Sequence, residues 1–286
     1  MKNRPLRTAA LLLALATLLT AAACKSGGGA SSAAPESVSH VTSEDDGSPR
    51  SVELKSIVDD GLPAVSYDGP DGVLDNLRLP YSINSDVVGW LTLTNAGGVA
   101  FMDYPVVQSY DNNFYLRRTL YGGYASGGTV FMHYRCDPVN LSENTTIFGH
   151  NLKDHTLFAQ LLKYRSASFY NSAPIIDYST LYKKYRFKIF AAFYTTVRFD
   201  YIRPSYSASG FSAVVNEALA RSSIKTNVDV APDDSIITLS TCAYVDGVEG
   251  ARFVVMGRLL REGESAGGCA ASENPNALDI RQPYRP

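Results

Sequence analysis

At 286 residues, 45% of them hydrophobic, the chain is long enough to bury one sizeable core with appendages. Its net charge of −2, with no basic cluster, excludes a surface that tracks nucleic-acid backbone. The 18 tyrosines and 12 phenylalanines favour a strand-rich body, and four widely spaced cysteines without C-x-x-C suggest neither a zinc ribbon nor a disulfide scaffold.

Residues 1–24 read as a targeting segment. Lys2, Arg4 and Arg7 make a positive start, and residues 9–23 form an apolar run too short to favour a membrane span. The run ends AAAC, which resembles a bacterial lipobox with Cys24 as the lipidated residue, although Ala21 stands where that motif usually has Leu. Lipidation at Cys24 is the favoured reading; ordinary secretion and an uncleaved anchor are the alternatives. All three place the body outside the cytoplasmic membrane, and lipidation or an anchor would tether it at the cell surface. Residues 25–50, rich in Gly, Ser, Ala and acidic side chains, are expected to be a flexible tether, with His40 inert in it.

Residues 51–80 form a lead-in, with one or two helical turns expected at 73–79 before Pro80. The body spans 81–261. Strands are expected at 87–93 (VVGWLTL), at 99–107 with Pro105 marking an edge or bulge, at 127–133 and at 145–148. Residues 156–164 (TLFAQLLKY) carry Leu157, Phe158, Leu161 and Leu162 at helical spacing, with Asp154 as a possible N-cap. Strands follow at 174–178 and 185–196. An insertion, 197–232, contains an amphipathic helix at 212–222. Two last strands, 236–239 and 253–260, flank a Gly-containing turn. The polar, Pro/Gly-rich tail 262–286, with Cys269, is expected to be disordered. About eight strands in succession with few helices predict a mainly β fold, largely antiparallel and closed or nearly closed.

The last two strands frame the chemistry. Cys242 lies where one ends and Arg252 where the next begins, so an antiparallel pair brings thiol and guanidinium together. A cation beside a thiol favours the nucleophilic thiolate. Taken alone, the pair reads more readily as a small buried hydrophobe and a solvated strand-edge charge. A cysteine nucleophile also needs a base. His150 emerges after Gly149 at the end of a short strand and is the best placed. His133 ends an apolar strand and suits a core or supporting position, and His155 sits at a helix start. A metal site from His150, His155 and Cys136 fits no usual zinc spacing.

Together, TLSTC at 238–242, Arg252 ten residues on and GHN at 149–151 resemble the sortase signature. The likeness extends through INSDVVGWLTL, DYPVVQSYDNNFYL, GGTVFMHYR, NTTIFGHNLKDHTLFAQLLKY and the helix-bearing insertion, covering roughly 81–260, and is closest to class B sortases. It implies an eight-stranded sortase-type β-barrel and a cysteine transpeptidase of the peptidase class, with no cofactor and no metal. Cys242 would be the nucleophile, His150 the acid and base, and Arg252 the oxyanion or peptide-carbonyl ligand. The partners implied are secreted proteins bearing a C-terminal sorting motif of the Asn-Pro-x-Thr-x type and an amine of the peptidoglycan cross-bridge. Motif matches assign Asn112 and Leu116 to one wall of a peptide groove and Tyr201 and Ile202 to a second, and Ser240 matches the substrate-contacting serine two residues before the nucleophile. Two departures remove negative charge: His133 stands where the family often has Asp, and Ala243 follows the nucleophile where an acidic residue is common. Cys136 has no role to carry over, and a disulfide with Cys242 is without support. A hydrolytic or pilin-polymerising sortase and a non-catalytic peptide-binding lipoprotein are the rival readings.

Overall fold

Apolar alternation along the strands builds the interior of the body. In β1 (Val87–Thr94) every second residue is buried, with Leu91 and Leu93 fully so. The computed structural model describes residues 67–284. The leader with Cys24, the tether with His40 and the start of the lead-in, 51–66, lie outside the described residues. Helix α1 (Asp75–Ile83) runs one turn further than expected, with Pro80 inside it. Leu77 and Pro80 are both buried, so packing holds the helix despite the donor that Pro80 lacks.

After β1 come β2 (Ala100–Val107), β3 (Phe131–Met132), β4 (Asn144–Phe148), β5 (Ile175–Thr180), β6 (Lys184–Thr196), β7 (Ile224–Thr226), β8 (Ile236–Cys242), β9 (Ala251–Leu259) and β10 (Ala271–Glu273). Eight of them close a barrel in the order β1-β2-β3-β4-β8-β9-β6-β5, as the sequence implies. Among the described residues, only β2–β3 and β4–β8 are parallel pairs. Pro105 sits where β2 has one partner, because β2 meets β3 only at Val107. Strand β3 is shorter than expected. Gly128 takes a left-handed φ of 60° and Thr129 N–H donates to the Tyr115 carbonyl, so the chain turns instead of extending.

The expected helix at 156–164 is a 3₁₀ segment, Phe158–Arg165, followed by the short α2 (Ala167–Ser172). Leu157, at φ 51°, breaks any continuation from Asp154. Asp154 closes a local turn, accepting from both the N–H and the hydroxyl of Thr156.

Odd-numbered side chains of β8, Ile237 and Leu239, point into the barrel with Ile147, Phe253 and Val255. Even-numbered ones face outward. There α3 (Ala208–Arg221), the insertion helix, lays Phe211, Val214, Val215 and Ala218 on Phe190, Phe193, Val254 and Met256. At about 1.5–3 kcal/mol each for Phe211, Val214 and Val215, that face contributes roughly 5–9 kcal/mol. Ser207 caps the helix, its hydroxyl accepting from Gly210 N–H.

The tail is the main correction to the sequence reading. Residues 262–284 are bound to the body. Glu264 accepts from Arg258 and Lys188, and these cations hold its carboxyl far below the usual range. Strand β10 pairs with β7. Leu278 N–H donates to the Ala220 carbonyl and Asn274 Nδ2 to that of Ser222, satisfying acceptors at the end of α3. Buried Arg221 binds the carbonyls of Asp279, Gln282 and Pro283. Composition predicts disorder because most of these partners are main-chain atoms or residues far away in sequence, which leave no trace in the composition of the tail.

Candidate active site

Cys242 ends β8 and is exposed; its direct partner across the ladder is Arg252 of β9. Directly opposed residues of an antiparallel pair share a face, with Cβ atoms about 4.5–5.5 Å apart. That face is the outward one, where Ser240, Cys242, Arg252 and Val254 alternate with inward-facing Leu239 and Phe253. The Arg252 guanidinium is steadied by donation from Nη1 to the Ala251 carbonyl, 2.9 Å away.

His150 reaches the same place through the parallel β4–β8 pair. The register matches Phe148 with Ser240. The two chains then stay side by side: Gly149 N–H donates to the Ser240 carbonyl, Thr241 Oγ1 to that of Gly149, and Asn151 Nδ2 to that of Cys242. This brackets His150 between two bonds to the last residues of β8. Burial, and then the Arg117 guanidinium, lower the proton affinity of the half-buried imidazole below its ordinary value. Neutral His150 therefore dominates near pH 7.

The insertion forms an adjoining wall. Tyr201 OH and Ser240 Oγ lie 2.8 Å apart, at 3% and 2% exposure. The sequence reading makes both of them substrate contacts; here their side chains bind one another and stand behind the surface. Burial pushes the Tyr201 phenol up to about 12, so it remains a neutral hydroxyl. Ile202 is half-buried and packs beside this cluster. Asn144, which sequence reasoning missed, anchors the wall. Fully buried at the start of β4, it donates to the carbonyls of Tyr201 and Arg203 and accepts from Thr238 Oγ1 at 2.7 Å. The available signal was a polar residue at an even, outward position of that strand.

Asn112 and Leu116 lie on the opposite segment. Asn112 Oδ1 accepts from Tyr134 N–H, and Asp111 caps the turn by accepting from Asn113 and Phe114 N–H. Leu116, 36% exposed, lies in a 3₁₀ turn, Phe114–Arg117. It lines an open groove of about 650 Å³ with Tyr110, Phe114, Arg117 and Arg118.

The remaining candidates fall outside the site. His133 is buried, its Nδ1 accepts from Arg135 N–H, and its ring rests near Tyr134 and Phe148. His155 is exposed, in a left-handed conformation. Cys136 is a free, buried thiol whose proton burial retains, hydrogen-bonded to the Asn144 carbonyl. Cys242 and Cys269 are likewise free. Ala243 is buried and extends the ladder by one bond, donating to the Ala251 carbonyl.

The family model for the Sortase domain matches residues 98–260. Sortase B of Listeria monocytogenes is 36% identical over 189 residues, covering 66% of this chain and 75% of that protein. Sortase B of Staphylococcus aureus is 33% identical over 180 residues, covering 63% and 72%. Among solved structures, a Staphylococcus aureus sortase B–substrate complex aligns with a TM-score of 0.60 at 31% identity, covering 67% of this chain and 88% of that one. A Bacillus anthracis protein similar to sortase B aligns at 0.58 and 32% identity, covering 68% and 87%. The chain thus belongs to the sortase family, as a cysteine transpeptidase whose relatives are class B enzymes.

Proposed function

We propose that this sortase cleaves an Asn-Pro-x-Thr-x type signal in secreted proteins and joins the Thr carbonyl to an amine of cell-wall peptidoglycan. The observation that carries the reading is the placement of Cys242 opposite Arg252 and alongside the His150 turn, on the barrel face that the insertion borders. The Cys242 thiol passes its proton to His150, and the resulting thiolate attacks the Thr carbonyl. Arg252 donates to the oxyanion as charge develops there. The C–N bond breaks, the leaving amine takes a proton from protonated His150, and a thioester remains. An incoming amine then attacks the thioester, surrenders a proton to His150 and releases the thiolate. Water competes with the amine at that step.

Asn112, Leu116 and Ile202 would contact the peptide, with Tyr201 and Ser240 as the support behind it. The leader-like residues 1–24, with Cys24 in the AAAC context, support a body tethered at the outer face of the cytoplasmic membrane. Palmitate labelling lost in Cys24→Ala tests the lipid form of that tether.

The reaction is tested with a quenched Asn-Pro-x-Thr peptide, with and without an amine acceptor. Cleavage after Thr with an amide product is expected, together with loss of activity in Cys242→Ala. Hydrolysis unaffected by amine would point to a hydrolase. Product formed only on a pilin Lys would point to a polymerase, and binding without turnover would reject the enzymatic reading.

A further inference from the structure

The last described residues, 279–284, reach the loop between Cys242 and Arg252, the end of β6 and the insertion, although the family match ends at residue 260. Ile280 is buried with the main core. Arg281 Nη2 donates to the Asp246 carbonyl, in the loop 243–250 that joins Cys242 to Arg252. Tyr284 OH accepts from Thr196 N–H at 3.0 Å and lies 2.7 and 3.1 Å from the hydroxyls of Thr196 and Thr195. Thr195 is the β6 partner of Arg252. The Tyr284 ring stacks on Phe199, with centroids 5.3 Å apart and planes 15° apart; Phe199 in turn packs on Tyr201 at 5.7 Å. The Arg221 guanidinium lies over the Tyr284 ring, 4.4 Å from its centroid.

We propose that Tyr284 is a positioning residue for the peptide groove: it locks the insertion wall at Phe199–Tyr201 to the strand end opposite Arg252. The proposal rests on the reading that the sorting peptide lies along this wall. Two structural points favour it over a purely stabilising role. The six residues do not contact the barrel at random; their polar contacts include the two ends of the Arg252 neighbourhood, Asp246 and Thr195–Thr196. The aromatic chain from Tyr284 through Phe199 to Tyr201 also ends on Ser240, two residues before Cys242. Freed of Tyr284, Phe199 loses its stacked neighbour and the hydroxyls of Thr195 and Thr196 lose a shared partner. The wall can then move while Cys242 and His150 stay pinned by the β4–β8 bonds.

The test uses the full chain with Tyr284→Ala, Tyr284→Phe and, as a control elsewhere on the same tail, Glu273→Ala. Glu273 caps α2 by accepting from Ala167 N–H and does not touch the wall. Tyr284→Ala is expected to raise KM for the sorting peptide on the order of tenfold, a misplacement effect. Alkylation of Cys242 by iodoacetamide should stay within about twofold, since the thiol does not move. Tyr284→Phe, which keeps the ring stack, should fall between wild type and Tyr284→Ala. Hydrogen exchange should quicken at 197–202 in Tyr284→Ala and not in Glu273→Ala. Equal KM changes in Tyr284→Ala and Glu273→Ala would overturn the proposal, as would unchanged exchange at 197–202. Should the wild-type chain turn over no sorting peptide, the functional reading fails, and the exchange comparison still decides whether Tyr284 holds the wall.

Discussion

Gly149→Ala tests how the fold aims His150. A Cβ at position 149 would lie 2.6 Å from both Cγ and Cδ1 of Phe158. Carbon atoms prefer about 3.5–4.0 Å, so the new methyl intrudes by roughly 1 Å. Phe158 is fully buried in the main core, and its N–H donates to the His150 carbonyl, so the ring cannot swing out to make room. Overpacking of this kind costs about 1–3 kcal/mol, and each kcal/mol lowers Tm by about 2–4 °C in a body of this size. The cheaper relief is to move the turn, which carries His150. A shift of about 1 Å at a catalytic group costs on the order of a hundredfold in rate. The assay is kcat/KM for the quenched sorting peptide beside a thermal melt. Gly149→Ala should lose about ten- to a hundredfold in kcat/KM with a modest fall in Tm. The double variant with Phe158→Leu, which removes the opposing ring, should recover much of the activity. Wild-type kinetics in Gly149→Ala, or no recovery in a folded double variant, would refute the reasoning.

The other expectations concern charge, wall and anchor. Arg117→Gln removes a cation that disfavours protonated His150, so the His150 pKa rises toward its ordinary value and the acidic limb of the pH–rate profile moves to higher pH; an unmoved limb would detach that limb from His150. Arg252→Lys keeps the charge and loses the planar fork, and should lower kcat by about 10²–10³ while the melt is unchanged. Asn144→Ala strands the carbonyls of Tyr201 and Arg203 and the Thr238 hydroxyl, and should cost at least about 2 kcal/mol in a denaturant titration.

Much of the fold was legible because half-buried strands such as β1 alternate in burial, while fully buried ones such as β8 and β9 read as continuous apolar runs. The positions of β1, β2, β4, β6, β8 and β9 follow from runs such as VVGWLTL and FVVMGRL. The succession of strands predicted a closed or nearly closed sheet, and the resemblance made it an eight-stranded barrel. The 3₁₀ segment at Phe158–Arg165 looked helical because its apolar spacing is the same for both; Leu157 with positive φ decided the difference. Cys242 and Arg252 were readable as a pair from the turn between their strands. His150 was not readable as their neighbour from local sequence, because its closeness depends on a parallel pairing between residues some ninety positions apart. The tail was misread for the opposite reason. A polar, glycine-rich composition normally signals disorder, yet Arg221 and Tyr284 fasten it through main-chain and hydroxyl partners. Asn144 was passed over because a polar residue at an outward strand position reads as solvent-facing, whereas here the insertion covers it.

The departure at Ala243 has a structural consequence. Its N–H continues the β8–β9 ladder and its side chain is buried, so position 243 points away from the exposed face of Cys242. The charge beside the thiol therefore comes from Arg252 alone among the groups paired with it in the ladder.

The central claim is that Cys242 carries the acyl group in transit. Intact-protein mass spectrometry of the full chain, mixed with an Asn-Pro-x-Thr peptide in the absence of amine, tests it most directly. The account predicts an adduct whose mass is the peptide fragment ending in the Thr acyl group, mapped to Cys242 and discharged by hydroxylamine or an added amine. Peptide cleavage without an adduct in wild type, and undiminished in Cys242→Ala, would contradict it.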